Sequence, residues 1–293
     1  MAQQQFRLQA ALWMAGSVGC FVVMSVASRA ATGGLPVLQV MEMRSVIGFF
    51  MLLPLVFAAG GLAAMRTRRP VEHIGRNVAH YGGQFAWLVA LGMIPLAELV
   101  AIEFTTPFWT ALLAVLFLGE RMDWRKIAAI LLGFAGVAVI VRPGAAAIDP
   151  GHLIMLAGAV TFGVSIVMVK SLTRTESVVR IIFWMLVIQS ALGLAPALIV
   201  WRSPPADLWP AILVLSFCGT FSHYCLARAL SYADATTVMP MDFMRLPLTA
   251  VVGWLIYDET LGPAAALGAG LILLGNLVTL RRRERATPIV ENP

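Results

Sequence analysis

Two stretches of this chain share one register: Ala90-Leu91 through Glu103-Phe104 aligns with Ala229-Leu230 through Asp242-Phe243 at a constant offset of 139 residues. The same offset relates Glu120 to Glu259 and Gly136 to Gly275, and a fainter one of 142 pairs Ala15-Gly16 with Ala157-Gly158. A period of this size is several times the 20 to 50 residues or so of a solenoid repeat. The chain is therefore read as two copies of one unit, residues 8–143 and 150–281, followed by a tail of residues 282–293.

With 60% apolar and 12% charged residues and a mean hydropathy of +0.86, the chain cannot clothe a water-soluble globule in polar surface. Its apolar residues come in runs of about 20, the length that crosses hydrocarbon as a helix. Ten runs are centred in Ala10 to Ala30, Val37 to Phe57, Tyr81 to Ile94, Ala97 to Leu118, Ile127 to Val141, His152 to Val169, Val179 to Trp201, Leu208 to Ala229, Thr236 to Tyr257 and Leu261 to Leu280. The third is short unless Asn77 to Gly83 belongs to it. The expected fold class is an all-α membrane protein of ten transmembrane helices with antiparallel neighbours, because most links are short.

Basic residues orient such a bundle, since Lys and Arg are retained on the cytoplasmic side. With the amino terminus inside, 16 of the 21 basic residues, Arg76 among them, fall on one side, and only Arg29, Arg142 and Arg202 on the other. Arg44 and Arg245 lie within helices. Both termini are thus expected in the cytoplasm, with the chain crossing the membrane many times. Five crossings per copy make the second copy enter from the opposite face, so the repeats are inverted. The Arg clusters flank spans and serve as contacts for anionic lipid, which leaves no nucleic-acid partner. Cys20, Cys218 and Cys225 fall inside helices without metal spacing and read as packing residues.

A proline-bearing helix ending in Leu118-Gly119-Glu120-Arg121 or Tyr257-Asp258-Glu259-Thr260, each followed by a glycine-punctuated helix, resembles the paired EamA domains of the drug/metabolite transporter superfamily. The resemblance covers roughly residues 10 to 280. It implies two inverted five-helix repeats around a central cavity lined by the first, third, fourth, sixth, eighth and ninth helices. It also implies movement of a small organic metabolite, such as an amino acid or nucleoside, by alternating access, with export favoured. Ile102 to Pro107 and Ala233 to Pro247 look closest to branches that include riboflavin and S-adenosylmethionine carriers, so uptake of such a compound is the alternative.

Ionisable residues inside the spans must face a cavity or a partner, since exposing a charge to lipid costs roughly 2.5 to 3.5 kcal/mol on insertion scales. Glu103 and Asp242 are repeat mates and head the list of candidates for substrate binding or ion coupling. Asp242 and Arg245, three apart, can pair on one helix face. Arg44 is expected to meet Glu103 or Glu98 from another helix, while Glu42 reaches water near a helix end, as Glu98 does if unpaired. Phe104, Phe243 and Trp109 offer an aromatic lining, Thr106 a hydroxyl and His223 a hydrogen-bonding or proton-relaying ring. Pro107, Pro247 and Pro240 are expected to kink the fourth and ninth spans and free carbonyls. Ala129 with Gly133, and Ala266 with Gly270, read as small-residue surfaces for close helix packing.

Enzyme chemistry is excluded by pattern: the four histidines are scattered, and no metalloprotease, Cys-pair or nucleotide-loop motif occurs. No metal and no cofactor is expected, and a channel lacks a filter motif or charged ring. The expected partners are a small-molecule substrate and the lipid bilayer, with protons as the candidate coupling ion and a monomer or homodimer as the assembly.

Overall fold

The computed structural model describes residues 2–118, 124–141, 149–173, 175–232 and 241–280. Among them the long elements are α1 (Ala2–Gly34), α2 (Val37–Ala58), α4 (Pro70–Leu91), α5 (Leu96–Glu103), α6 (Thr106–Leu118), α7 (Trp124–Val141), α8 (Pro150–Leu172), α9 (Val178–Ile199), α10 (Trp209–Tyr232), α11 (Arg245–Tyr257) and α12 (Pro263–Leu280). A one-turn helix, α3 (Gly61–Ala64), sits between α2 and α4, and no strand occurs among the described residues. Local chemistry sets several starts. Pro70 and Pro150 occupy first turns, where a missing N–H costs nothing. The Asp149 carboxylate accepts from the Gly151 amide at 2.8 Å, and the Ser177 hydroxyl from the Arg180 amide at 3.3 Å.

The protein is an all-α membrane protein. Seven described helical segments are long and apolar enough to cross a bilayer, with α5 and α6 counting as one span. Two further expected spans fall on the shorter apolar helices α11 and α12, and the third on α4, which has the length but carries polar residues. Large apolar side chains such as Leu198, Ile199, Phe217, Trp254, Leu255 and Leu267 are exposed on the outside, where hydrocarbon covers them. A groove of about 450 Å³ between α1, α10 and α11 is lined by Val22, Val26, Val214, Val252 and Ile256, and its wholly apolar wall suits lipid rather than a polar solute.

The helices pair across the two copies. α1 packs most extensively on α10 and α4 on α8, while α7 packs on α12, α2 on α9 and α5 on α11. Exchanging the copies converts the first pair into the second and maps the α7–α12 and α2–α9 pairs each onto itself, which is the pattern of a two-fold pseudo-axis. Side chains repeat it. A Cβ on Gly136 would lie 2.5 Å from the Gly268 carbonyl, and one on Gly275 would lie 2.9 Å from the Ala129 carbonyl. The offset of 139 turns either contact into the other. Ala129 and Gly133 thus do pack, Gly133 against the Phe108 ring, but the expected Ala266–Gly270 face does not. Both of those residues are exposed, and α12 turns Ala265, Gly268, Ala269 and Ile272 inward instead.

Proline behaves differently from the expected kinks. The fourth span is interrupted at Phe104-Thr105, and the chain is again out of helix at Phe243-Met244, 139 residues later. Pro107 and Pro247 then stand in the first turns of α6 and α11, positions that demand no hydrogen bond from them. Pro240 lies outside the described residues, as does Glu120.

One end of the bundle is tied by a polar network. Glu176, between α8 and α9, accepts from the Thr67 hydroxyl at 2.7 Å and the Arg180 guanidinium at 2.8 Å, and Arg180 also donates to the Ala64 carbonyl at 2.7 Å. Arg69 joins Glu72 to the Ser171 carbonyl and hydroxyl. At another joint, Glu259 pairs with Arg29 and accepts from the Leu96 amide at 2.8 Å, linking the α11–α12 connection to α1 and the start of α5.

Gly136→Ala should therefore lower stability by about 1 to 3 kcal/mol by forcing α7 and α12 apart. Gly270→Ala, with open space around it, should leave thermal unfolding unchanged or raise it slightly. A second outcome concerns acid. Burial pushes the Glu176 carboxyl up, but the Thr67 hydroxyl and Arg180 outweigh it and hold it below the ordinary carboxylate range. Its contribution is complete above that range and disappears as pH falls through the lowered value. Unfolding scans from neutral to acid pH should show a shallower loss of stability in Glu176→Gln than in the wild type.

Candidate functional site

The breaks after α5 and before α11 bring charges from both copies together. The Arg245 guanidinium donates to Glu103 at 3.1 Å and to Asp242 at 2.7 Å. Glu103 accepts a further bond from the Trp87 indole N–H at 2.8 Å. The guanidinium lies over the Phe21 ring, 4.2 Å from its centroid, and 4.9 Å from that of Phe104. Phe104 meets Phe243 edge-on at 5.4 Å, and Phe21 meets Trp87 at 6.0 Å. Asn276 of α12 donates to the Phe104 carbonyl at 2.9 Å, and the Thr105 hydroxyl to that of Ile102 at 2.7 Å, which occupies carbonyls released at the break. One guanidinium among aromatic faces thus serves two carboxylates. Arg245 Nε remains without a hydrogen bond.

This trio opens onto an internal space. His223 of α10 is solvent-exposed, yet it lies within electrostatic reach of Arg44 on α2, Arg76 on α4 and Arg245 on α11. An exposed side chain facing three other helices lines an opening between them rather than lipid. Its repeat mate is Gln84, whose amide nitrogen and oxygen are both buried without partners. The His80 ring lies 6.3 Å from that of His223 and 5.4 Å from Phe162. The Gln189 amide nitrogen is 2.9 Å from His80 Nδ1.

Of the expected residues, Glu103, Asp242, Arg245, Phe104 and Phe243 are brought together. Arg44 is not with them: Glu103 takes Arg245, and Glu98 accepts from His152 Nε2 at 2.7 Å. Arg44 is instead buried beside Gly219 of α10. Glu42 does not reach water. It is 4% exposed, faces Gly193 and Tyr81, and its Oε2 has no hydrogen bond. Thr106 is buried with its hydroxyl oxygen unpartnered, and Trp109 packs edge-on against Phe134 of α7 at 5.1 Å rather than against the trio. No His, Cys, Asp or Glu grouping able to hold a metal occurs among the described residues.

Sequence reasoning missed α4. His73, Arg76, His80, Gln84 and Trp87 recur every three or four residues and form one polar stripe along that helix. Arg76, expected as a loop anchor, is buried there, donating to Asn77 at 2.8 Å. The helical spacing was the available signal.

Two helical copies paired about a pseudo-axis, with charged and polar side chains buried between them, define a multi-pass membrane protein with a polar interior. Both halves match one family, over residues 8–142 and 149–281, and the chain belongs to the EamA-like transporter family. It is 34% identical to a riboflavin transporter of Rhizobium johnstonii over 94% of this chain and 93% of that one. It is 26% identical to an S-adenosylmethionine uptake transporter of Rickettsia bellii over 80% of each. A pseudopaline exporter of Pseudomonas aeruginosa is 25% identical over 90% of this chain and 93% of its own. A solved protein structure matches with a TM-score of 0.66 at 22% identity, covering 94% of this chain and 98% of that one, and shows the same fold. These relatives are transporters rather than enzymes, and they make the chain a metabolite transporter of the bacterial inner membrane acting on small molecules.

Removing the shared guanidinium should cost far more than removing one carboxylate. Arg245→Gln leaves two buried carboxylates facing each other and should destabilise the protein by about 3 to 5 kcal/mol, whereas Asp242→Asn leaves a neutral pair. Denaturant unfolding in detergent checks the order.

Proposed function

We propose that this transporter carries a flat, polar heteroaromatic metabolite of the riboflavin kind across the inner membrane by alternating access of the two inverted repeats. The observation that carries the reading is the Arg245 guanidinium held between Phe21 and Phe104, beside Trp87 and Phe243. Stacking faces next to fixed hydrogen-bond donors and acceptors suit a planar ring system bearing carbonyls and N–H groups. The riboflavin transporter among the relatives supports that choice. Residues 8–143 and 150–281 are the two moving units, residues 282–293 a cytoplasmic tail, and both termini are cytoplasmic.

Two carboxylates share one cation, so the trio carries a net negative charge inside the membrane when both are ionised. A proton taken up on Glu103 or Asp242 would neutralise it, which couples cargo movement to the proton gradient. Such a carrier runs along whichever gradient it is offered, so exchange assays report the cargo without presupposing direction.

Purified protein in liposomes should show saturable counterflow of labelled riboflavin, competed by flavins and not by amino acids. Glu103→Gln and Asp242→Asn should each reduce it by roughly tenfold, the scale of a lost hydrogen bond to a charged group. Counterflow with S-adenosylmethionine or amino acids, and none with riboflavin, contradicts the cargo. An unchanged pH dependence in the doubly neutral variant contradicts the coupling.

A further inference from the structure

We infer that Arg44 and Arg76 form a receiving site for one oxyanion group, a carboxylate or phosphate, separate from the Glu103–Arg245–Asp242 trio. Both side chains belong to residues that are only 7% exposed. Arg44 has no hydrogen bond at Nη1, and Arg76 has none at Nε and bonds only the neutral Asn77 amide through Nη1. Neither lies within ion-pairing distance of a carboxylate among the described residues, whose ion pairs employ other cations. Glu42, two residues before Arg44, projects from a different face of α2 toward Gly193 and Tyr81.

The surroundings are built for these cations rather than against them. A Cβ on Gly219 would stand 2.7 Å from Arg44 Nε and 3.2 Å from its Cζ, so α10 lacks a side chain where the guanidinium lies. One turn further along α10, His223 is exposed to the internal space, and both His223 and His80 lie within electrostatic reach of Arg44 and of Arg76. The Thr220 hydroxyl and the Gln84 amide are also buried without partners. Two guanidiniums, each with unused donors and no counter-charge, beside neutral donors and an opening, require an anion to complete them. His223 is also within reach of Arg245, which links these arginines to the aromatic site. A planar cargo with a side arm ending in an oxyanion would touch both, and a free inorganic anion would satisfy the arginines alone.

The inference rests on the reading of this interior as the cargo site, and the test separates the two. Full-length protein in detergent is titrated with riboflavin and with riboflavin 5′-phosphate by flavin fluorescence, and with inorganic phosphate against chloride of equal ionic strength by thermal unfolding. Wild type should bind the phosphorylated flavin on the order of tenfold more tightly than riboflavin, the gain expected of charge-assisted hydrogen bonds. Phosphate should raise its unfolding temperature where chloride does not. Arg44→Gln and Arg76→Gln should abolish both effects while leaving riboflavin affinity within about twofold, and Arg44→Lys should retain part of the preference. Because each Gln variant removes an uncompensated buried charge, it should unfold no earlier than wild type, which distinguishes lost binding from lost structure. A phosphate shift without a flavin preference identifies a free inorganic anion as the occupant. A phosphate shift that depends on Arg44, with neither flavin bound, sinks the flavin cargo and leaves the anion site standing. Equal binding of the two flavins with no phosphate shift, or effects that survive both Gln variants, overturns the inference.

Discussion

The organising constraint is the cost of charge inside a membrane, met here by one guanidinium that two carboxylates share. Arg245 and Asp242 come from the second copy and Glu103 from the first, so the ion pairs cross the line between the halves. The backbone provides for this through the interruptions at Phe104-Thr105 and Phe243-Met244: Glu103 ends the helix before the first, and Asp242 precedes and Arg245 starts the helix after the second. A hydrogen bond from Asn276 and the hydroxyl of Thr105 occupy carbonyls that the first break releases. Polar cost, helix break and half-to-half contact are therefore one arrangement.

Close packing lets that arrangement persist in two related halves. Gly136 against Gly268 and Ala129 against Gly275 bring α7 and α12 to backbone contact, and the two contacts are images of each other. α1 with α10 and α4 with α8 repeat the relation on the walls of the interior. Halves related in this way are what the proposed alternation between two openings requires. The Glu259–Arg29 pair and the Glu176 network are distinct polar ties that such a motion would have to loosen.

Much of this was legible in the residues. The offset of 139 located Glu103 with Phe104 and Asp242 with Phe243, because a duplicated chain writes its helix break twice. Arg245 followed from helical spacing. The partner of Arg44 did not, since spacing along one helix fixes a face and says nothing of which neighbour it meets. The polar stripe of α4 was hidden for a related reason: a hydropathy window counts His73, Arg76 and Gln84 against a span, although burial inside a bundle is where such residues belong in a transporter. The packing face of α12 was misplaced by one residue in each turn, because alanine and glycine populate both of its sides.

An internal path requires that the space beside His223 be wet while the outer face of the same helix is not. The direct measurement is reaction of single cysteines, placed at His223 and at Phe217 in a background lacking Cys20, Cys218 and Cys225, with a water-soluble, membrane-impermeant thiol reagent in intact bilayers. Modification at position 223, slowed by bound cargo, with position 217 inert is the predicted result. Modification at 217 with 223 inert would mean that α10 turns its polar face toward lipid, and that no internal path exists.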